Sequence, residues 1–137
     1  MKKTIVLTAL SLSLLTVSTQ TAAEIPKDAV ELWDNNYIFA DATELLDGGV
    51  VSIWRGNARH SPEEEKIFHG KSSKKRTLFY CGKGEIQTTY YVIYEETNFD
   101  GKVVANFDRH GKRLPVIPDT AFYDLYQILC RTASPLK

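Results

Sequence analysis

The chain has 137 residues, with 17 basic and 17 acidic side chains and a formal net charge of zero. That balance argues against nucleic acid as a partner, because such binders carry a strongly basic surface. No repeat, Pro- or Ser-rich linker or long charge block divides the sequence, so one domain is expected.

Lys2 and Lys3 form a positive start, Thr4 to Val17 are apolar or small, and Gln20-Thr21-Ala22-Ala23 offers small residues for cleavage. This three-part pattern predicts an export signal over 1–23, cut after Ala23, and a mature domain over 24–137. The uncharged run is shorter than the roughly 20 residues a membrane-spanning helix needs. No cysteine follows it that could carry a lipid. Losing Lys2 and Lys3 leaves 15 basic against 17 acidic residues. The protein is expected in the periplasm, or at the cell surface or outside it.

Glu24 to Lys27 reads as a loose lead. Tyr37-Ile38-Phe39-Ala40 is a strand candidate, Asp47-Gly48-Gly49 a turn, and Val50 to Trp54 a second strand, together a first hairpin. Arg55 to Ser73 is a polar excursion with one helical turn started by Ser61 and Pro62. Thr77 to Cys81 forms a strand and Gly82-Lys83-Gly84 a turn. Glu85 to Thr97 is a long strand rich in Thr, Tyr, Val and Ile. An Asp100-Gly101 turn returns the chain as Lys102 to Asp108, in a register that sets Tyr94 opposite Phe107. Tyr90 and Tyr94 then share the buried face, Tyr91 takes the other, and Trp54 is read as core. Pro118 and Asp119 open a C-terminal helix with Asp119 as N-cap. Phe122, Leu125, Tyr126, Leu129 and Cys130 form one apolar stripe along it.

The two cysteines, Cys81 and Cys130, are expected to be bridged in an exported chain, tying that helix to the strand before it. Two free thiols or half of a metal site are the alternatives, but no nearby Cys or His completes a metal spacing. The fold class is therefore α+β, a small antiparallel sheet packed against a C-terminal α-helix with one disulfide.

Catalytic chemistry has little to stand on. His60, His69 and His110 belong to no nucleophile or zinc motif and read as solvated loop residues. Glu63-Glu64-Glu65 reads as the acidic first turn of a helix rather than a cation site. No enzyme activity, cofactor or metal is expected. Two basic clusters stand out as partner-binding candidates in loops beside strand ends: Lys71, Lys74, Lys75 and Arg76, and Arg109, Lys112 and Arg113. They would attract a protein or an anionic polymer, with association weakening as salt rises.

Tyr37-Ile38-Phe39-Ala40-Asp41 is followed by Gly48-Gly49 and Val51-Ser52-Ile53-Trp54. Basic residues before Cys81, a Tyr-containing strand and Asp100-Gly101-Lys102-Val103-Val104 come next. Pro118 then leads into a short helix holding Cys130. In that order these elements resemble the surface-adhesin protein E family of Gram-negative bacteria. The resemblance covers nearly the whole mature chain and implies the sheet, the helix, the Cys81–Cys130 bridge and a non-enzymatic exported binding protein. The founding adhesin is a surface lipoprotein that binds host matrix and serum proteins. This chain departs from it in lacking the lipid-bearing cysteine. The expected function is contact with a host or envelope macromolecule. The rival is a periplasmic inhibitor or immunity protein directed at a toxin or hydrolase. Oligomeric state stays open, a homodimer included.

Overall fold

The computed structural model describes residues 24–133, with side chains as far as Arg131. The expected export signal over 1–23 lies outside them. Eight strands follow in chain order: β1 (Ala29–Trp33), β2 (Asn36–Phe39), β3 (Glu44–Leu46), β4 (Val50–Asn57), β5 (Ser72–Tyr80), β6 (Glu85–Tyr94), β7 (Val103–Asp108) and β8 (Leu114–Pro115). Helix α1 (Pro62–Phe68) lies between β4 and β5, and α2 (Ala121–Ala133) closes the described chain. All strands pair antiparallel in one sheet ordered β1-β2-β4-β5-β6-β7, with β3 beside β4 and β8 beside β6.

Both helices pack on the same face. Val51 and Ile53 of β4, Phe79 of β5 and Leu125 of α2 form the buried core, with Phe122, Tyr126, Leu129 and Cys130 of α2 packed around it. The apolar stripe expected on the C-terminal helix is thus the surface that docks. Each such side chain contributes roughly 1.5–3 kcal/mol when fully buried. Cys81, just after β5, is bridged to Cys130 across this junction. The Tyr126 hydroxyl accepts from the backbone N–H groups of Gly82 and Gly84, both at 3.1 Å.

Helix α1 is held at the other end of the same face. Ser61 and Glu64 form a reciprocal capping box, with Pro62 in the first turn. His60 precedes it and is buried, 4% exposed, rather than solvated. Its Nδ1 lies 2.8 Å from the Gly70 carbonyl and its Nε2 2.8 Å from Ser73 Oγ. A carbonyl can only accept, so Nδ1 carries the proton and the Ser73 hydroxyl donates to Nε2. Gly70 is equally constrained. A Cβ there would lie 2.5 Å from Ile93 Cγ2 and 2.6 Å from the Tyr94 carbonyl oxygen. We expect Gly70→Ala to lose about 1–3 kcal/mol of stability, measured by urea unfolding. An unchanged midpoint would show that this junction gives way freely.

Several elements differ from the sequence reading. A strand, β1, occupies Ala29–Trp33 and pairs with β2 through a turn in which Asn35 takes φ 60°. The turn at Asp47–Gly49 joins β3 to β4, while Tyr37 and Ile38 pair with Gly56 and Arg55 further along β4. Strand β5 begins at Ser72, so Lys74, Lys75 and Arg76 lie in the middle of the sheet and not in a loop. The β6–β7 register also differs. Asn98 and Phe99 both adopt positive φ, 58° and 62°, turning the chain before Asp100. Phe107 consequently pairs with Tyr91, their rings stacked at 5.1 Å, and Tyr94 pairs with Val103. Tyr94 and Phe107 therefore point to opposite faces. At the last helix, Thr120 is the cap and not Asp119, its Oγ1 accepting from the Tyr123 N–H at 3.2 Å.

Candidate functional site

Alternation along β5 separates the first basic cluster. Lys75, Thr77 and Phe79 face the helices, whereas Lys74, Arg76 and Leu78 face the side on which neither helix packs. On that open face the register aligns Trp54 of β4, Arg76 of β5 and Tyr90 of β6 in one row across three strands. Trp54 and Tyr90 meet over the row with ring centroids 5.9 Å apart and planes at 71°. Arg76 donates from Nε to Ser52 Oγ at 3.0 Å, which holds its guanidinium toward the next row of the open face. All three side chains are half-buried, so they retain surface that solvent reaches. Tyr90, Tyr94 and Trp54 were expected in the core. The bulge opposite Arg76/Thr77, where Thr89 is the extra residue, and the placement of both helices on the other face leave them on the open one.

Lys74 has a different role. Its Nζ lies 4.3 Å from the ring centroid of Phe39, 5.5 Å from that of Phe99 and 5.7 Å from that of Tyr94. Phe99 packs edge-on to Phe39, Tyr37 and Tyr94, and the Ser72 hydroxyl accepts from its backbone N–H. Burial among these rings lowers the Lys74 pKa, with Asp28 acting against the shift. The ammonium caps an aromatic cluster at one end of the open face. Lys71 is exposed and reaches Glu96 at 3.9 Å, an ion pair of small energetic value.

The second basic cluster lies in the chain between β7 and β8 and also divides. Arg113 sits 3.7 Å above the Tyr80 ring on the open face and pairs with Glu85 at 3.7 Å. Arg109 and Lys112 are exposed and line a shallow cavity with Tyr91 and Leu114. The seven basic candidates therefore do not form one patch. Arg76, Lys74 and Arg113 share the open face, and Lys75 lies behind it.

On the helix-bearing face, Lys75 pairs directly with Arg55 of β4. Sequence reading passed over Arg55, although alternation from Val51 through Ile53 carries it onto the same face. Both line a cavity of about 490 Å³ between the β1–β2 turn and the start of α1. Arg55 donates from Nε to Thr77 Oγ1 at 2.8 Å and from one Nη to Thr88 Oγ1 at 3.5 Å, and lies 5.0 Å over the Phe122 ring. Burial lowers the pKa of both cations, and Arg55 lowers that of Lys75 further. Glu64 opposes the shift at Lys75.

Both ring nitrogens of His60 are taken by Gly70 and Ser73, and His110 is exposed. Among the described residues no three His, Cys, Asp or Glu side chains gather to hold a metal ion. None of the helices described there is long and apolar enough to cross a membrane.

A helix bridged to one face of an antiparallel sheet, with aromatic and basic side chains displayed on the other, defines a small α+β domain with one open sheet face. The family profile described as "Surface-adhesin protein E" matches residues 30–131, and the chain belongs to that family. Solved structures show the same fold. Haemophilus influenzae protein E superposes with a TM-score of 0.64 at 16% identity, over 87% of this chain and 96% of that one. A second crystal form of it gives 0.63 at 16% identity, over 85% and 97%. Protein E from non-typeable Haemophilus influenzae gives 0.64 at 16% identity, over 86% and 85%. No curated protein matches the chain by sequence.

Proposed function

We propose that this chain is a non-enzymatic exported protein of the cell surface, an adhesin that binds a host protein on its open sheet face. The observation carrying this reading is the Trp54–Arg76–Tyr90 row, half-buried on a face where neither helix packs. Trp, Tyr and Arg are the residue types that dominate binding hot spots, because each combines a large contact area with a polar handle. The few cations interleaved with rings suit a protein segment carrying an acidic group better than a polyanionic polysaccharide, which rewards many positive charges. Family membership favours a surface location, and the sequence pattern supports 1–23 as the export signal and 24–137 as the mature domain. It lends nothing to the periplasmic-inhibitor alternative.

Within this reading the basic residues have distinct jobs. Arg76 and Arg113 make contacts on the open face, Lys74 holds the Phe39–Phe99–Tyr94 cluster at its end, and the exposed Lys71, Arg109 and Lys112 add long-range attraction. The test is the mature domain titrated over a panel of immobilised host matrix and serum proteins, at low and high salt. Binding to a panel member should weaken by at least about tenfold in Arg76→Glu, and weaken with rising salt. Lys83→Glu, in the exposed turn after β5, should leave it unchanged. Full affinity in Arg76→Glu, or binding indifferent to salt, would remove the open face from the account.

A further inference from the structure

The helix-bearing face holds a second feature, independent of the reading above. Arg55 and Lys75 are directly opposed neighbours on β4 and β5, so their Cβ atoms are about 4.5–5.5 Å apart. Like charges so placed repel, and both are half-buried at the floor of a 490 Å³ cavity. Among the described residues neither makes an ion pair; the pairs formed are Lys71–Glu96, Lys102–Glu95 and Arg113–Glu85. The carboxylate lining the same cavity from α1, Glu64, is already engaged. Its Oε1 accepts from the Ser61 N–H at 2.9 Å, and both oxygens lie 3.4 Å from Asn57 Nδ2.

Two partly desolvated cations side by side, without a counter-charge in contact, are costly unless something negative joins them. The second carboxylate of the lining, Asp34, is exposed at the β1–β2 turn and accepts from Asn35 Nδ2 at 3.4 Å. Arg55 spends Nε and one Nη on Thr77 and Thr88, leaving further guanidinium donors for a ligand. Lys75 is propped by ring faces, with its Nζ 5.3 Å from the Tyr91 centroid and 6.0 Å from that of Phe68. Arg59 stands exposed at the rim, where it adds attraction without desolvation.

We infer that this cavity is an oxyanion-binding site, in which Arg55 and Lys75 together hold a sulfate, phosphate or carboxylate group. The group arrives either as a free anion or carried on an acidic or sulfated sugar, and the guanidinium fork and ammonium recognise both.

The test is thermal unfolding of the mature domain titrated with inorganic sulfate, inorganic phosphate, glucuronate and a sulfated heparin disaccharide. Each is matched for ionic strength with chloride. A saturable rise in Tm beyond chloride is expected from at least one probe. Saturation by free sulfate or phosphate identifies a free-anion site, and saturation by the sugars alone identifies a glycan-borne group. Lys75→Met keeps the stem against Tyr91 and Phe68 while removing the charge. Its apparent Kd should be weaker by at least about tenfold. In chloride alone its Tm should equal or exceed the wild type, because Arg55 loses a like-charged neighbour. Arg55→Lys, which keeps charge but loses the fork, should also weaken binding, whereas Lys102→Met and Lys83→Glu, both at exposed positions, should not. No rise beyond chloride with any probe, or the same saturable rise in Lys75→Met as in the wild type, would overturn the inference.

Discussion

Phe79→Ala is expected to destabilise the domain by about 3–5 kcal/mol, among the largest effects a single core truncation produces. Phe79 is 0% exposed and touches the core from the sheet side, with Val51 and Ile53 beside it and Leu125 and Tyr126 above. Removing the ring takes away its transfer energy and leaves a cavity. β5 cannot move to fill that cavity, because it is paired along its length with both β4 and β6. Helix α2 cannot settle into the gap either, because Cys130 is bridged to Cys81 two residues after Phe79. At about 4 °C or more per kcal/mol for a domain of this size, Tm should fall by at least about 12 °C. Leu45→Ala is the internal control. Leu45 is 63% exposed and should stay within about 0.5 kcal/mol of wild type. Equal effects from the two substitutions would mean that the core is not where the buried side chains put it.

Removing the bridge comes second. The Cys81→Ala, Cys130→Ala double substitution should lower stability by up to about 4 kcal/mol. The crosslink spans 49 residues, and opening it returns that much loop entropy to the unfolded chain. The native state should survive the loss. The stripe of Phe122, Leu125, Tyr126 and Leu129 still docks α2, and Tyr126 still holds the turn at Gly82 and Gly84. Reduced wild type and the double variant should therefore unfold at the same temperature, both folded at 25 °C and both well below the oxidised protein. A reductant that leaves Tm unmoved would contradict the role given to the bridge. A double variant without near-ultraviolet signal would show that the stripe cannot hold the helix alone.

What was legible in the sequence follows from how local each signal is. The stripe on α2 is visible because a helix buries one face at a fixed period, and Phe122, Leu125, Tyr126, Leu129 and Cys130 keep that period without interruption. Ser61 and Pro62 likewise announce α1, because capping involves only residues within one turn. Strand register is less local. Asp100-Gly101 is a good two-residue turn, yet the chain turns earlier through Asn98 and Phe99. The Phe99 ring is anchored among Tyr37, Phe39 and Tyr94, which are distant in sequence. One displaced turn moved every cross-strand partner of β7.

The candidate sites were legible in composition but not in grouping. Lys74, Lys75 and Arg76 look like a loop patch because charged runs usually are solvated. Strand alternation instead sends Lys75 to one face and its two neighbours to the other. Trp54 and Tyr90 look like core because sheets commonly bury their aromatics. Which face of a sheet its helices cover is decided by α1 and α2 together, and no window of the sequence contains both. Arg55 shows the reverse case. It was readable by continuing the Val51–Ile53 alternation, but its partner Lys75 is brought opposite it by the pairing of two strands.

The most direct test of the central claim is attachment of intact cells to a bound host matrix or serum protein. Cells displaying wild type are compared with cells displaying a Trp54→Ala, Arg76→Glu variant, with display equalised by antibody labelling. The account predicts that wild-type cells attach and that the variant loses attachment by at least about tenfold. Equal attachment by both, at equal display and with the variant folded, would contradict it.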